Sequence, residues 1–307
     1  MRSEQLHAQM KSASKVRPAC VITTLFTLFI FLFLCTIAPY AAGGKPDTDT
    51  IRKIIASAAR EFPGVLSVAY EDLESSRTVY YNAGVTFPAA SIVKVPIFIE
   101  LYRQFQKGLL SPGDTMKVES RFKVGGSGKV KDMPDGTPVS LKQLGEWMIT
   151  ISDNAATDML ISRIGMKAVN TRLALLGLRN TTLQRTIFDF SAIDRGRDNL
   201  TTPADMCSLF AQLYRGRIFA EPRQSEVIGI LKRQTRNHLI PKYLPPSVAV
   251  AHKTGELSGV TGDCGIIYYP GKPYVLCILA KDITDMDSAS RIIASLSGKI
   301  YKAVAAK

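Results

Sequence analysis

Hydrophobic side chains recur at helical spacing near residue 50 and again close to the carboxyl end of the chain. Residues 47–62 place Ile51 and Ile55 on one face before Pro63-Gly64 interrupts the pattern, which predicts an amphipathic helix. Residues 288–304 repeat this spacing and predict a closing helix. Because each helix has one apolar face, both are expected to pack against another layer of structure.

Short apolar segments bounded by turn residues predict strands on both sides of a largely helical centre. The predicted strands are residues 65–70, 78–81, 248–254, 265–269 and 274–280. Strands from both chain ends assemble most simply as one antiparallel sheet flanked by the terminal helices, an α+β fold built as an α/β sandwich. Residues of about 105–235 then form a central helical lobe, and the cleft between lobe and sheet is the natural ligand site.

An uncharged apolar run, residues 21–38, follows a basic segment near the amino terminus. Its length is near the minimum for a bilayer-spanning helix and long for the core of a signal peptide. Basic residues before such a run keep the amino terminus cytoplasmic and direct the following chain outward. We therefore expect residues 1–44 to be a cytoplasmic leader with a signal peptide or a membrane anchor. Residues 45–307 are expected to form an extracytoplasmic domain, in the periplasm or at the cell surface.

Composition and charge exclude several classes of function. The 307 residues carry a formal net charge of +13, but the basic residues are dispersed without interleaved aromatics, so no nucleic-acid partner is expected. Anionic lipid or cell-wall polymer suits an exported basic protein better, and residues 21–38 would contact the membrane if uncleaved. Three histidines and five scattered cysteines form no clustered ligand set, and phosphate-binding glycine motifs are absent. Neither a metal nor another cofactor is therefore expected.

Three short motifs stand in order along the chain. Ser91-Ile-Val-Lys94 opens an apolar helix, Ser152-Asp153-Asn154 is expected to end a helix, and Lys253-Thr254-Gly255 is expected to close a strand. The first pattern alone arises by chance about once in a chain of this length, whereas the other two are much rarer. Their occurrence together, in this order and on these predicted elements, indicates a chemical site.

The first motif suits a nucleophile that does not use histidine. Serine needs a neighbouring base before it becomes an effective nucleophile, and a triad would require His238 or His252 to approach from a distant part of the chain. Lys94 stands one helical turn from Ser91 on the same face. Burial and a second cation would lower its pKa and make it a base. A helix N-terminus at Ser91 also offers backbone N–H groups to developing negative charge.

These motifs resemble those of the penicillin-recognising active-site-serine enzymes, most closely the class A β-lactamases. The resemblance covers about residues 50–307, including GEWMITISDNAATDML and NLTTPADM, and implies a fold of sheet plus helical lobe. It implies that Ser91 is the acylated nucleophile and Lys94 its base or relay. Ser152 would pass a proton to the leaving group, and Lys253 is the second catalytic lysine.

The same resemblance implies a set of substrate-binding groups. Asn154 would bind the substrate amide, and Lys253 with Thr254 would hold its carboxylate. The backbone N–H groups of the nucleophile and of Glu256 would form the oxyanion hole. Gly255 belongs to a strand edge that can pair with an extended ligand backbone. The implied partner is a small-molecule β-lactam or a peptidoglycan stem peptide.

The chain departs from class A β-lactamases where those enzymes carry a glutamate that activates the deacylating water. No glutamate occurs between Glu146 and Glu221. The expected place falls near Thr186, with Asp189 and Asp194 as nearby carboxylates of shorter reach. Acylation is therefore expected to proceed and deacylation to be slow.

A second departure concerns the strand after the Lys253-Thr254-Gly255 motif. Cys264 stands where many relatives carry a carboxylate-binding arginine, and Lys242 or Arg236 is an alternative cation. Cys264 would also face Cys277 across a hairpin, as a strained disulfide or, preferably, as two buried thiols.

Three functions remain open from the sequence. The first is a β-lactamase with slow deacylation. The second is a D-alanyl-D-alanine carboxypeptidase, a penicillin-binding protein of peptidoglycan metabolism. The third is a membrane-anchored domain that binds β-lactams as a sensor without turnover.

Overall fold

The computed structural model describes residues 47–306 of the chain. The predicted signal peptide or anchor, residues 21–38, lies outside these residues, so export stays a prediction. Among residues 47–306, no helix combines the length and the apolar character needed to cross a membrane.

Helices and strands of the described residues follow one another in blocks. The helices are α1 (Thr48–Glu61), α2 (Lys94–Gln106), α3 (Leu141–Thr150), α4 (Asn154–Ile164), α5 (Met166–Leu175), α6 (Phe190–Asp194), α7 (Pro203–Tyr214), α8 (Arg223–Leu231) and α9 (Met286–Ala305). The strands are β1 (Val65–Asp72), β2 (Thr78–Tyr81), β3 (Phe87–Pro88), β4 (Thr115–Lys117), β5 (Pro138–Ser140), β6 (Leu200–Thr201), β7 (Val250–Leu257), β8 (Val260–Ile267) and β9 (Tyr274–Lys281).

Both ends of the described chain contribute strands to one antiparallel sheet, as the sequence predicts. Its order is β2-β1-β9-β8-β7, so strand β1 from the beginning pairs with β9 from the end. Strand β7 lies at an edge of the sheet, and it carries the Lys253-Thr254-Gly255 motif. The outer side of this motif is therefore not paired within the five-stranded sheet.

Apolar side chains cover both faces of the sheet. On one face, Ile51 and Ile55 of α1 join Ile293 of α9 in a buried cluster. On the other face, the core of the helical lobe, which includes Phe98 and Phe210, extends to the sheet. This arrangement confirms the predicted α+β sandwich with a central helical lobe.

Two expected positions of the motifs are wrong. Strand β7 continues to Leu257, so the Lys253-Thr254-Gly255 motif lies inside the strand, because each residue of 250–257 has a partner on β8. The turn comes later, at Gly259, which has a φ of 69°. Helix α3 ends at Thr150, so Ser152-Asp153-Asn154 does not end it but forms the connection to α4.

Three cysteines of the described residues are buried free thiols. Cys264 and Cys277 lie directly opposite each other on β8 and β9, which is the predicted pairing. Cys207 is free on α7. Burial raises the pKa of the Cys207 and Cys277 thiols well above the ordinary value. This suppresses the reactive thiolate.

Candidate active site

Ser91 lies in a tight turn that precedes α2. The turn, Ala90–Val93, is a 3₁₀-helix that continues into α2 at Lys94. Ala90 enters it with a φ of 46°. A positive φ is unfavourable for a residue with a side chain, and such strain is concentrated at functional sites. The turn leaves Ser91 partly exposed on the wall of a cleft.

The ammonium group of Lys94 is completely buried against the second motif. It donates to the backbone oxygen of Ser152 over 2.7 Å, to Ser152 Oγ over 3.1 Å and to Asn154 Oδ1 over 2.7 Å. Burial, reinforced by the charge of Lys253, lowers the pKa of Lys94 well below its usual value, although two carboxylates oppose the shift. Lys94 thus has the environment that a lysine base requires.

The hydroxyl group of Ser152 contacts the lysines of the first and third motifs. Ser152 Oγ lies 3.1 Å from the Nζ of Lys94 and 3.1 Å from the Nζ of Lys253. Lys253 also donates to the backbone oxygen of Thr254 over 2.8 Å. Burial, with a contribution from the charge of Arg236, lowers the pKa of Lys253 to about 7. A hydroxyl group held in this way can relay a proton between the two sides of the cleft.

Asp153 fixes the turn that presents Ser152. Ser152 has a φ of 58°, so its backbone needs support from its surroundings. The buried carboxylate of Asp153 accepts the N–H of Ala156 over 2.9 Å, that of Lys129 over 2.7 Å and that of Val130 over 3.0 Å. These bonds fix the neighbouring loop to the start of α4.

Asn154 uses both ends of its amide within the protein and still lines the cleft. Its Oδ1 accepts from Lys94, and its Nδ2 donates to the backbone oxygen of Gly125 over 3.1 Å. A primary amide has a second N–H and a second acceptor lone pair. Asn154 therefore has the remaining capacity for the predicted contact with a substrate amide.

Gly255 allows strand β7 to approach the turn that carries the nucleophile. A Cβ atom at Gly255 would lie 3.0 Å from Ile92 Cγ1 and 3.2 Å from both the backbone oxygen of Ala89 and the Cβ of Ala90. These distances are shorter than ordinary contacts between carbon atoms. The third motif thus needs glycine for packing against the first motif.

The cleft has a volume of about 240 Å³, and its walls come from all three motifs. The predicted site residues on its surface are Ser91, Ser152, Asn154, Thr254 and Glu256, and the other lining residues are Gly126, Ser127, Ile187, Phe188, Arg236 and Leu257. Lys94 and Lys253 are buried behind this surface and contact it through Ser152.

Arg236 is the cation that lines the cleft. Its NH2 group donates to Ser127 Oγ over 2.5 Å. Lys242, the other cation considered from the sequence, lines two different cavities. Cys264 is buried and does not line the cleft. Of the two cations considered from the sequence, the structure thus places Arg236 at the cleft and Lys242 away from it.

The loop between α5 and α6 presents apolar side chains to the cleft. Ile187 and Phe188 line the cleft, whereas the neighbouring Thr186, near which the water-activating glutamate is expected from the sequence, lines a separate cavity. Asp189 caps helix α6 by accepting the N–H of Ala192. Asp194 is exposed at the end of that helix. Among the residues described, no carboxylate of this loop lines the cleft.

Two sets of contacts fix this loop in place. At its ends, Arg185 forms an ion pair of 2.8 Å with Asp198 and donates to the backbone oxygen of Ile187 over 2.6 Å. In its middle, the N–H of Ile187 donates to Asp158 Oδ1 over 2.8 Å. Burial raises the pKa of Asp158 to about 6, although the bond from Ile187 opposes this shift.

The histidines of the described residues do not form a catalytic triad with Ser91. The buried His252 contacts Asp263 Oδ1 over 2.9 Å through Nδ1 and Asn237 Oδ1 over 3.1 Å through Nε2. Both of its ring nitrogens are therefore occupied. His238 contacts the side chain of Glu256 over 2.7 Å and lies in a cavity next to the cleft.

A sheet of this topology, with Ser91 on the wall of a cleft at its edge and two buried lysines contacting Ser152 behind that wall, is the arrangement expected of an active-site-serine hydrolase. The chain matches the model of the beta-lactamase enzyme family over residues 48–304 and belongs to that family. It is 26% identical to a β-lactamase of Bacillus licheniformis over 266 residues, which are 85% of this chain and 86% of the relative.

Solved structures of the same fold include both β-lactamases and a penicillin-binding protein. A β-lactamase of Sphaerobacter thermophilus is 27% identical, with a TM-score of 0.77 over 85% of this chain and 99% of the other. PBP-A is 26% identical, with a TM-score of 0.79 over 86% of this chain and 98% of the other. A variant of PBP-A forms an acyl-enzyme complex with penicillin G. The chain is therefore a serine hydrolase of the class A β-lactamase family.

Several residues of the cleft were not predicted from the sequence. Ser127 and Phe188 lie in loops without a motif, and only the folded chain brings them to Ser91. Asp158 gave a weak signal, because an acidic residue four positions after Asn154 falls on the same face of α4. That spacing places it near Lys94 and below the loop.

Proposed function

We propose that this protein opens β-lactam amides through an acyl-enzyme on Ser91. The observation that carries the proposal is the position of Ser152 Oγ, within hydrogen-bonding distance of both Lys94 and Lys253. Neutral Lys94 removes the proton of the Ser91 hydroxyl while Oγ attacks the carbonyl carbon. Ser152 gives a proton to the departing nitrogen as the amide bond breaks, and Lys94 or Lys253 restores it.

The substrate carboxylate is assigned to the positive end of the cleft. Arg236 and Thr254 line this end, and Lys253 lies directly behind it. The amide of the substrate side chain is assigned to Asn154. The backbone N–H groups of Ser91 and Glu256 are assigned to the oxyanion, since β7 is an edge strand at this point.

Deacylation is proposed to be slow because the loop offers no water-activating group. Ile187 and Phe188 occupy the part of the cleft wall that the loop supplies. Hydrolysis of the ester needs a base that removes a proton from water. Apolar side chains cannot provide it, and Asp158, which accepts the N–H of Ile187 through Oδ1, lines a different cavity.

Labelling with a fluorescent penicillin and turnover of nitrocefin test both parts of this proposal. The wild type should label quickly, Ser91→Ala should not label, and nitrocefin hydrolysis should show a burst followed by a slow steady state. Mass spectrometry should detect a persistent adduct. Absence of the label would contradict the acyl-enzyme on Ser91, and rapid loss of the adduct would contradict slow deacylation.

A D-alanyl-D-alanine carboxypeptidase is the second candidate function. The apolar loop wall and the likeness to PBP-A favour it, because a carboxypeptidase can hydrolyse its peptidyl-enzyme with water slowly and does not need the rapid attack of water that a fast β-lactamase requires. Release of D-alanine from a synthetic stem peptide, abolished in Ser91→Ala, would support it. A stable label with neither D-alanine release nor nitrocefin turnover would support the sensor.

We further propose that the domain works outside the cytoplasm, through the leader of residues 1–44. The support is the basic segment followed by the apolar run of residues 21–38. Fractionation of cells that express the full chain, with amino-terminal sequencing of the product, would separate a cleaved signal from an anchor. Retention of the active protein in the cytoplasm would contradict the proposal.

A further inference from the structure

Glu256 separates the cleft from a second cavity. Its side chain lines the cleft together with Arg236. It also lines a neighbouring cavity of about 490 Å³, whose other walls are His238, Lys242, Met286, Asp287, Ser290 and Arg291. A single carboxylate therefore stands between the position assigned to the substrate carboxylate and a charged chamber beside it.

The two oxygens of this carboxylate face two different cations. Oε1 lies 2.7 Å from His238 Nε2, on the side of the second cavity. Oε2 lies 3.8 Å from the NH1 group of Arg236, on the side of the cleft. Glu256 and Arg236 are each 36% exposed, so their side chains can be rearranged without disturbing the core.

We propose that Glu256 competes with the substrate carboxylate for Arg236, and that His238 controls this competition by holding Glu256 on the side of the second cavity when it is protonated. This proposal rests on the proposed function, because it assumes an anionic substrate in the cleft. Glu256 then acts as a specificity-determining residue through its side chain, in addition to the role assigned to its backbone N–H.

The charges around this pair set the direction of its pH dependence. The hydrogen bond with Glu256 raises the pKa of His238, supported by Asp263 and opposed by Arg236. His238, then Arg236 and Lys253, lower the pKa of Glu256, which stays ionised.

Below the pKa of His238, the imidazolium holds Glu256 and leaves Arg236 available. Above it, Glu256 is released towards Arg236. Lys242, Asp287 and Arg291 are the other charged groups on the walls of the second cavity. Binding of an anionic substrate should therefore weaken as the pH rises, beyond the weakening caused by deprotonation of Lys253.

Binding to an enzyme that cannot be acylated isolates this effect. Calorimetry would compare benzylpenicillin with its methyl ester on Ser91→Ala and on Ser91→Ala with Glu256→Gln, at pH 5.5 and pH 8. The Gln variant should bind benzylpenicillin about three- to fivefold more tightly at pH 8, the scale of a partly exposed ion pair. The gain should be smaller at pH 5.5 and absent for the ester. Glu61→Gln, an exposed change on α1, is the matched control.

His238→Gln in the same background provides the second test. At pH 5.5, this variant should bind benzylpenicillin as weakly as Ser91→Ala alone binds it at pH 8. The comparison is made after the loss of affinity caused by deprotonation of Lys253 has been subtracted. An unchanged ratio of benzylpenicillin to ester affinity in Glu256→Gln, or weaker binding of benzylpenicillin, would overturn the proposal. Failure of the wild type to label with penicillin, with binding to Ser91→Ala intact, would instead contradict the proposed function.

Discussion

The hydroxyl oxygen of Ser152 lies 3.1 Å from the Nζ of Lys94, although the two residues are 58 positions apart in the chain. The same oxygen lies 3.1 Å from the Nζ of Lys253, which belongs to the edge strand β7. This contact connects the nucleophile's helix, the turn between α3 and α4, and the edge strand. We therefore expect changes at these three residues to alter the rate of acylation.

Replacement of the relay hydroxyl should slow acylation. In Ser152→Ala, we expect the rate of penicillin labelling to fall by about 10²–10⁴-fold, the range of a lost proton-transfer group. Stopped-flow fluorescence measures this rate, and thermal melting checks the fold. Ser162→Ala, whose hydroxyl group contacts only its own helix at the backbone of Met159, is the control. Labelling by Ser152→Ala at the wild-type rate would exclude the relay.

The charge of Lys253 should limit the enzyme on the alkaline side. Because its pKa is lowered to about 7, Lys253 loses its charge above that pH, and a substrate carboxylate is held less well. The second-order rate constant of acylation should therefore decline above about pH 7. Lys253→Arg keeps the charge and should move this decline to higher pH. The control Lys242→Arg should leave the pH of the decline unchanged. If Lys253→Arg also leaves it unchanged, the decline is caused by another group.

The buried carboxylate of Asp158 should cost stability at neutral pH. Its pKa is raised from 3.8 to about 6 in the folded state, so protonation stabilises the folded protein and this stabilisation is lost as the pH rises to about 6. Asp158→Asn retains an acceptor for the N–H of Ile187. It should raise stability at pH 7.5 by at most about 3 kcal/mol, from about 1.4 kcal/mol per pKa unit.

Thermal unfolding as a function of pH measures the effect of Asp158→Asn. The gain should shrink as the pH falls below about 6 and disappear below about pH 3, where Asp158 is protonated in both the folded and the unfolded state. Asp194→Asn, a change at an exposed position, is the control variant. A gain that is independent of pH would show that the carboxylate charge is not its cause.

A carboxylate on the cleft side of the loop should accelerate deacylation. Ile187 lines the cleft, so Ile187→Glu places a base there and should shorten the lifetime of the acyl-enzyme by about 10²-fold. Thr186→Glu is the matched control, because Thr186 lines a different cavity. Mass spectrometry after mixing with penicillin measures the lifetime. Equal acceleration by both variants would contradict the assigned orientation of the loop.

Packing of β7 against the nucleophile's turn should not tolerate an added methyl group. Gly255→Ala brings a Cβ to 3.0 Å from Ile92 Cγ1 and should destabilise the fold by about 1–3 kcal/mol. It should also slow acylation, because the turn carries Ser91. Gly84→Ala, which meets no atom within 4 Å, should be close to neutral in both measurements. Chemical denaturation and the labelling rate provide the two readouts.

The sequence by itself determined the class of fold and most of the catalytic groups. Apolar periodicity is a local property, so it predicted the terminal helices and the strands of both chain ends. The motifs at Ser91, Ser152 and Lys253 could be recognised in the sequence because acyl transfer by a serine needs specific residue types at fixed spacing. The boundaries of β7 could not be predicted from the sequence, because the length of this strand is set by its pairing with β8.

Only the tertiary structure decided which distant residues meet at the cleft. Arg236 and Lys242 were equivalent in sequence, and the fold placed Arg236 on the wall of the cleft and Lys242 in other cavities. It also placed Ile187 on the wall of the cleft and Thr186 on the wall of a different cavity. The pKa of a lysine or a carboxylate depends on burial and on charges brought close by folding. For this reason, the residue types indicated the chemistry of the site, whereas the pKa values of its groups could be inferred only from the three-dimensional structure.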